Sequence, residues 1–474
     1  MTDDTLAQQS AADLAQLYRT RQASPVQATQ AALARIERWN EATGAFCQVY
    51  PDSALAAAVG SEERWRTGDE LGPLDGVPAT IKDIIHVQGW PTRRGSRTLA
   101  DAGPESADAP ITARLREAGA VLLGKTTTPE FGWKAVTDNP FGEVARNPFD
   151  LRLTAGGSSG GAAIAAALGM GVLHVGTDGG GSIRIPSAFC GIVGLKPTFG
   201  RVPAWPLSPF GTVAHLGPMT RTVADAAAMM NAVSRPDLRD WHGLPYDDRD
   251  YTADLDAGIA GLRIAASVDL GHLEVDPEIR SGFVSLLKTV GDLGAVVVEE
   301  DPGFANSRDL FAATWFPAAA RVVDTLDPAK RQLVDPGLLE AAAEGRDVDA
   351  ARLLTAQAER GAMGVAMQLF FGRYDLLLTP AVAVKPLPAG AETVRGSGQR
   401  RWIDWAGFSF PFNLTQQPAA VVPFGRTKDG LPLSCQVVGP KYADALVLRA
   451  CRAIERALPQ PQLTAPVAKP LPQV

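Results

Sequence analysis

The chain is short of the residues on which several common kinds of site depend. Of its 474 residues only four are cysteine and five are histidine, and no two cysteines stand in a C-x-x-C spacing. This pattern excludes a disulfide-rich scaffold and a cysteine-based zinc site, and it indicates reduced, mostly buried thiols. The later histidines stand in no motif with an acidic partner, which argues against a serine–histidine hydrolase.

Long apolar runs and a strong net charge are absent as well. No stretch of about 18 uninterrupted apolar residues marks a membrane span, and the polar residues 1–10 do not form a signal peptide. The formal net charge of −7 argues against a nucleic-acid surface. With 46% hydrophobic and 20% charged residues, we expect a cytoplasmic globular protein that binds neither membrane nor nucleic acid. Its length suffices for one large core or two domains.

Glycine and serine, by contrast, are concentrated in residues 154–197. Two clusters stand there, GGSSGG at 156–161 and GGGS at 179–182. Because glycine is costly in chain entropy, such density is found where the backbone takes unusual angles or approaches a bound group closely. We expect the first cluster to open a helix over Ala162 to Met170. The second is predicted to be a loop of N–H donors that ends in a hydroxyl.

Three interpretations of this stretch compete. A phosphate-binding loop requires a lysine after the glycines, which neither cluster has, and no G-x-G-x-x-G dinucleotide fingerprint is present. The string G-x-S-x-G in the first cluster matches the nucleophile elbow of α/β-hydrolases, but the segment before it is turn-like rather than a strand. The third interpretation makes Ser182 a nucleophile beside an oxyanion hole of backbone N–H groups. Such a serine needs a base, and Lys82 is the conspicuous candidate.

Three motifs, in this order along the chain, together resemble the amidase signature family. They are GVPATIKD from Gly76 to Asp83, the GGSSGG cluster, and GTDGGGSIRIP from Gly176 to Pro186. The interval between Ser158 in the second motif and Ser182 in the third is the one usual in the family. The likeness covers most of the chain and thins out between about 236 and 400.

The resemblance implies a Ser-cisSer-Lys triad. It assigns Ser182 as the nucleophile, Ser158 as the serine whose preceding peptide is cis, and Lys82 as the base. It places the oxyanion hole at the backbone of Gly179, Gly180, Gly181 and Ser182. A lysine amine with an ordinary pKa near ~10.4 acts as a base near neutrality only if burial or nearby positive charge lowers that value. The apolar residues on both sides of Lys82 favour burial.

Simpler roles for these residues stay open. Lys82 would pair with Asp83 if it were a surface lysine, and both serines could serve only their turns. Asp178 and Arg184, on either side of the nucleophile, are expected to hold its loop as a buried ion pair or through backbone hydrogen bonds.

The order of predicted elements favours an α/β fold, because strands and helices alternate through Val213. A strand carrying Lys82 is predicted over residues 73–87. The resemblance implies a single large mixed sheet flanked by helices on both faces. It divides the chain into an N-terminal part of the core with the triad (1–235), a variable region capping the active site (236–400) and a C-terminal part of the core (401–474), which ends in a proline-rich tail from Pro459.

The expected activity is hydrolysis of an aryl or apolar acyl amide, an anilide or a carbamate through an acyl-enzyme, with no metal or organic cofactor. Candidate substrate-binding residues are Phe131, Trp133, Thr137, Trp315 and Trp402. The substrate would be a small-molecule amide, and a homodimer is the expectation from the family.

Two alternatives remain from the sequence. One is the glutamine-hydrolysing component of a tRNA-dependent amidotransferase, its A-type chain, which uses the same triad. Residues 199–206, FGRVPAWP, depart from the Tyr-Gly-Arg-Val-Ser-Arg-Tyr-Gly pattern associated with that component. A catalytically silent binding protein on the same fold is the other alternative, and the intact triad argues against it.

Overall fold

A mixed sheet of eleven strands runs through the computed structural model, which describes residues 3–463 and 465–468. The strands are β1 (Phe46–Val49), β2 (Pro78–Lys82), β3 (Val121–Thr126), β4 (Leu173–Asp178), β5 (Val193–Lys196), β6 (His215–Thr220), β7 (Arg263–Ala266), β8 (Val296–Glu299), β9 (Leu376–Pro380), β10 (Ala419–Arg426) and β11 (Pro432–Val438). They lie in the order β1-β3-β2-β4-β6-β5-β10-β11-β9-β7-β8. The predicted α/β class with one large mixed sheet is confirmed.

Two groups of parallel strands stand on either side of an antiparallel centre. β2 is parallel to both of its neighbours, β3 and β4, and β7 is parallel to β8 and β9. The pairs from β4 through β6, β5, β10 and β11 to β9 are antiparallel. The carboxyl ends of β2 and β4 therefore meet at one edge of the sheet.

Fourteen helices accompany these strands in the described part of the chain. They are α1 (Asp3–Leu6), α2 (Ala11–Arg19), α3 (Pro25–Thr43), α4 (Pro51–Thr67), α5 (Pro110–Glu117), α6 (Gly160–Ala167), α7 (Arg184–Cys190), α8 (Val223–Val233), α9 (Pro277–Asp292), α10 (Arg308–Asp324), α11 (Pro336–Arg346), α12 (Ala350–Phe371), α13 (Pro411–Leu414) and α14 (Asp444–Ala457).

Successive residues of β3 show that helices cover both faces of the sheet. Leu122 belongs to the apolar cluster that includes α5, α8 and α14, whereas Val121 and Leu123 belong to the cluster built on α6. Side chains alternate between the two faces of a strand, and both sets are buried here. The sheet is thus the middle layer of the protein.

Two predicted elements end earlier than expected. The strand predicted over 73–87 is confined to β2, because the N–H groups of Ile84 and Ile85 turn back to the carbonyl of Lys82. The helix expected to reach Met170 stops at Ala167, since Gly169 has a φ of 66° and Met170 donates to the carbonyl of Ala165. The first correction places Lys82 at a strand end.

The three predicted segments all contribute strands to the same sheet. β5, from residues 1–235, pairs with β10, and β9, from residues 236–400, pairs with β11. Within 236–400 the helices α10 and α11 pack on each other, and α10 brings aromatic side chains against the second glycine cluster.

Residues beyond α14 form neither helix nor strand where the structure describes them. Val467 donates its N–H to the carbonyl of Pro148 and accepts from Leu151. Positions 464 and 469–474 of the predicted proline-rich tail lie outside the described residues. All four cysteines are free thiols, and three of them are buried. In residues 3–463 and 465–468, none of the helices combines the length and apolarity needed to cross a bilayer.

Candidate active site

The amine of Lys82 lies at the carboxyl end of β2, among hydroxyl groups. Its Nζ is 2.6 Å from Ser158 Oγ, 2.9 Å from Ser159 Oγ and 2.8 Å from Thr177 Oγ1. Thr177 stands on β4, so the parallel pairing of β2 and β4 delivers one partner. The residues that precede α6 deliver the other two. The side chain of Lys82 is fully buried.

The surroundings of Lys82 favour a neutral amine. Burial lowers the pKa of Lys82 well below its ordinary value, although the charge of Asp178 opposes that shift. Over the described ranges, no carboxylate lies within ion-pair distance of Lys82 Nζ. Asp83, the partner that Lys82 would have as a surface lysine, pairs instead with Lys125 at 3.2 Å. A neutral amine can donate two hydrogen bonds and accept one, which suits three hydroxyl neighbours.

Ser158 stands in a tight glycine loop at the entrance to α6. The peptide between Gly157 and Ser158 is cis, as the family resemblance implied. A Cβ on Gly157 would lie 2.6 Å from the backbone carbon of Val136, so no side chain fits there. Thr137 holds the loop from outside, because its hydroxyl donates to Gly156 O at 2.8 Å and accepts from Gly160 N at 3.2 Å.

Ser182 ends the second glycine cluster and lines the same cavity as Ser158. The backbone of this cluster is pressed against aromatic rings. Cβ atoms on Gly179 and Gly180 would come within 2.7 Å of Trp315 and Trp402, respectively. Glycine is therefore required at both positions for steric reasons.

The predicted oxyanion donors have different partners. The N–H of Gly181 donates to Asp178 Oδ1 at 2.8 Å. Within the described ranges, no hydrogen bond occupies the N–H groups of Gly179, Gly180 or Ser182. These three N–H groups are available to a developing negative charge, whereas that of Gly181 already has an acceptor.

A buried ion pair fixes the loop, as predicted. Arg184 meets Asp178 through two hydrogen bonds of 2.9 Å, and its remaining donors reach Ser409 O, Gln436 and Asn413. Burial alone would raise the pKa of Asp178, but the guanidinium of Arg184 holds it below its ordinary value. The carboxylate therefore stays charged and keeps Gly181 in place.

Aromatic and apolar side chains form much of the cavity wall. Ser158, Ser182 and Gly179 lie on it together with Thr177. Trp315 is stacked on Phe210 with ring centroids 3.8 Å apart. The main apolar members of the wall are Ile84, Phe131, Phe199, Trp205, Phe210 and Trp315.

The predicted substrate-binding residues divide into two groups. Phe131 and Trp315 line the cavity. Trp133, Thr137 and Trp402 do not. Trp133 is buried behind the wall and accepts a hydrogen bond on its carbonyl from Trp315 Nε1. Trp402 packs edge-on against Trp315, with ring centroids 5.7 Å apart, so it supports the wall from behind.

Several lining residues were not predicted from the sequence. Many of them belong to the loop from Phe199 to Gly211, which closes one side of the cavity. Asp240, His242 and Arg94 also line it. The run Trp205-Pro206-Leu207-Ser208-Pro209-Phe210 was a usable signal, because prolines and aromatics close behind a catalytic motif indicate a stiff apolar wall. No pattern in the sequence marked Arg94.

In the part of the chain that the structure describes, no metal-binding cluster is present, and the two histidines on the cavity wall, His215 and His242, form no hydrogen bond with Ser158 or Ser182. Over residues 3–463 and 465–468, no group of three or more histidine, cysteine and acidic side chains could hold a metal ion. Burial lowers the pKa of His174 to about 3, and His174 bonds to Thr80. The partner of Ser158 is Lys82, so the nucleophile-elbow interpretation, which needs a histidine, finds no support in this geometry.

Comparison with known proteins agrees with this geometry. The model of the family described as Amidase matches residues 27–448. An acylamidase of Rhodococcus erythropolis is 37% identical over 466 residues, 97% of this chain and 97% of the relative. The A-type component of the glutamyl-tRNA(Gln) amidotransferase of Chloroflexus aurantiacus is 35% identical over 461 residues, 91% of this chain and 93% of the relative. The crystal structure of a bacterial aryl acylamidase of the amidase signature family superposes with a TM-score of 0.88 at 30% identity, covering 95% of this chain and 96% of that one.

Proposed function

The chain belongs to the Amidase family and is an amidohydrolase acting on carbon–nitrogen bonds other than peptide bonds, and we propose that it cleaves aryl or apolar acyl amides through an acyl-enzyme on Ser182. The observation that carries the proposal is the buried amine of Lys82, 2.6 Å from Ser158 Oγ, in a cavity that Ser158 shares with Ser182. The aromatic wall supports an apolar or aryl group in the substrate, as do the acylamidase relatives. The proposed substrates also include anilides and carbamates.

Acylation begins when Ser182 Oγ attacks the carbonyl carbon of the amide. Its proton passes to Ser158 Oγ, and the hydroxyl proton of Ser158 passes to the neutral amine of Lys82. The carbonyl oxygen becomes an oxyanion, which the N–H groups of Gly179, Gly180 and Ser182 stabilise. When this intermediate collapses, the proton returns through Ser158 to the leaving nitrogen, and the amine departs.

Deacylation repeats the relay with water as the nucleophile. Water attacks the ester carbon on Ser182 and gives its proton through Ser158 to Lys82. Collapse of the second tetrahedral intermediate breaks the bond to Ser182 Oγ, which takes the proton back, and the carboxylic acid leaves. Lys82 ends the cycle neutral, as it began.

Hydrolysis of glutamine as a component of an amidotransferase is the competing function, supported by the relatives of that name. Against it stands the stretch Ala204-Trp205-Pro206, which lines the cavity. This stretch falls where the pattern associated with the amidotransferase component has a different sequence. Glutamine therefore belongs in any substrate panel.

The test is hydrolysis of an aryl anilide, an aliphatic amide, a p-nitrophenyl ester, a carbamate and glutamine by the purified protein. We expect cleavage of the anilide with glutamine untouched, and an acyl adduct on Ser182 when a slowly deacylating ester is used. Ser158→Ala should abolish the relay. Ser159→Ala is the matched control, because its hydroxyl also contacts Lys82 but does not line the cavity. Near-native turnover by Ser182→Ala would refute the mechanism, and cleavage of glutamine alone would favour the amidotransferase function.

The dependence of kcat/KM on pH tests the base. The relay needs Lys82 neutral, so kcat/KM should rise as the pH increases through the lowered pKa of Lys82 and level off above it. A profile that rises only near the ordinary lysine value would contradict a buried neutral amine. Homodimer formation and a cytoplasmic location stay predictions, the first of which light scattering would check.

A further inference from the structure

A cationic side chain, Arg94, lines the cavity that holds Ser158 and Ser182. Its backbone has a φ of 55°, in the left-handed region that residues other than glycine seldom adopt. The N–H of Arg94 donates to Asp83 O at 2.9 Å, and its carbonyl accepts from Phe131 N at 2.8 Å. Both bonds hold the residue against the cavity wall in this conformation.

A chain of two contacts orients the guanidinium. Arg94 Nη2 lies 3.3 Å from His86 Nε2, and His86 Nδ1 lies 3.3 Å from Glu105 Oε2. These distances fit one tautomer of the imidazole, in which Nδ1–H donates to Glu105 and Nε2 accepts from Arg94. Burial lowers the pKa of His86, while the charge of Glu105 opposes the shift. The neutral ring is thus a bridge between the carboxylate and the guanidinium.

The side chain of Arg94 retains donors that the protein does not use. A guanidinium has five N–H donors and a full positive charge, yet within the described ranges its hydrogen bonds are limited to the one with His86, and no carboxylate lies within ion-pair distance. Arg184, also beside the glycine cluster, has four protein acceptors instead. Arg94 is half-buried, and a cationic group partly removed from water is normally paired or binds a ligand.

On the basis of the proposed amide hydrolysis, we propose that Arg94 binds a carboxylate of the substrate. It thereby selects molecules that carry an anionic group in addition to the amide that is cleaved. A carboxylate accepts two parallel hydrogen bonds from a guanidinium, which a neutral amide or ester cannot match in strength. The aromatic wall at Phe131 and Trp205 then contacts the apolar part of the molecule. The class includes half-amides of dicarboxylic acids, with the carboxylate on the acyl side, and N-acyl amino acids, with it on the amine side.

The experiment compares each acid with its neutral counterpart. Half-amides of straight-chain dicarboxylic acids of increasing length are assayed beside the corresponding diamides, and N-acyl amino acids beside their carboxamides. We expect the best acid to exceed its counterpart in kcat/KM by about 10- to 100-fold, the range of one charge-assisted hydrogen-bond pair. In Arg94→Gln this ratio should fall to near one, and Arg94→Lys should give an intermediate ratio.

Arg93→Gln is the matched control. It removes the same charge one residue away, and Arg93 does not line the cavity, so the preference should persist. A wild-type enzyme that treats acids and neutral counterparts alike would overturn the proposal. Equal loss of preference in the Arg93 and Arg94 variants would do the same, because it would indicate a diffuse charge effect.

Calorimetric titration with the dicarboxylates that correspond to these half-amides, and with the diamides, separates this proposal from the proposed function. Tighter binding of the dicarboxylate by wild type and by Arg93→Gln, but not by Arg94→Gln, supports the site even if no amide is hydrolysed. Absence of that difference in wild type refutes the site even if the enzyme cleaves neutral anilides well. This last comparison needs only the wild-type protein, so the proposal can still be tested if the Arg94 variant fails to fold.

Discussion

Lys82 and Lys125 stand at the carboxyl ends of neighbouring parallel strands, and both side chains are buried. Lys82 contacts three hydroxyls. Lys125 contacts the carboxylate of Asp83 at 3.2 Å, the carbonyl of Ile85 at 3.0 Å and a hydroxyl. Burial lowers the pKa of both amines, but the charge and hydrogen bond of Asp83 oppose the shift at Lys125.

The difference lies in what each amine can do with a proton. A hydroxyl can donate a hydrogen bond to a neutral amine or accept one from an ammonium group, so the neighbours of Lys82 are compatible with both of its charge states and can transfer a proton. A carboxylate partner favours the charged form of Lys125 and makes the pair structural. Two lysines that are both buried at strand ends thus differ in role: Lys82 is the proposed base and Lys125 is a structural partner of Asp83. The groups that contact each amine account for the difference.

The largest effect should follow from Lys82→Met. Loss of the base should lower kcat by about 10²–10⁴-fold, while the thermal midpoint should not fall, because no charge is left unpaired and the native state no longer has to release the proton of Lys82. Steady-state kinetics and a thermal melt on the same preparation check both halves. Retention of activity would refute the role of Lys82, and a collapse of the melting temperature would place it with Lys125 as a support.

Lys125→Met should have the opposite effect, with a large loss of stability and a small loss of activity. The carboxylate of Asp83 would remain buried without its partner, which costs about 3–5 kcal/mol of the free energy of unfolding. Urea unfolding measures that loss. The turnover of the folded fraction should fall far less than in Lys82→Met. Unchanged stability would show that the Lys125–Asp83 pair contributes nothing.

Removing both partners sharpens the comparison. Lys125→Met combined with Asp83→Leu should recover about 1–3 kcal/mol relative to the sum of the single variants, because the charges are coupled. The analogous pair, Lys82→Met with Ser158→Ala, should show its coupling in kcat instead, the double variant being no slower than the slower single one. Additive losses in either cycle would mean that the two residues act independently.

The smallest effect concerns the pH dependence of stability. The unfolded chain binds a proton at Lys82 up to the ordinary lysine pKa, but the native state releases it at lower pH. The unfolded state therefore binds more protons in that interval, and the free energy of unfolding rises with pH. Lys82→Met should reduce this slope by at most about 1.4 kcal/mol per pH unit. Urea titrations from neutral to mildly alkaline pH would reveal an unchanged slope if Lys82 is charged in the native state.

Local sequence predicted most of the elements but not their tertiary partners. The glycine clusters and the apolar run before Lys82 carry their information within a few residues, so the loops at Ser158 and Ser182 could be predicted. A pair between Lys82 and Asp83 was the alternative for a surface lysine, but Lys82 is buried and Asp83 pairs with Lys125 on the adjacent strand. Strand order decides that pairing, and periodicity alone does not encode strand order.

The cavity wall was predicted less well for a related reason. The sequence does not distinguish among Trp133, Trp315 and Trp402, which are equally apolar. Only the packing of α10 against the glycine loop places Trp315 on the cavity wall. Arg94 carries no sequence signal, because its position depends on a left-handed backbone conformation that glycine more often adopts.

The hydrogen bonds of Arg184 also bear on when the site can form during synthesis of the chain. The acceptors Ser409, Asn413 and Gln436 follow Arg184 by 225 to 252 residues. At about 5–20 residues per second, a ribosome reaches Gln436 roughly 10–50 s after it has added Arg184. Until Ser409 and Asn413 have been added, Asp178 is the one partner among these that is available to the arginine, and Gln436 completes the set. The enzyme is therefore expected to become active only after the chain has been synthesised at least as far as Gln436.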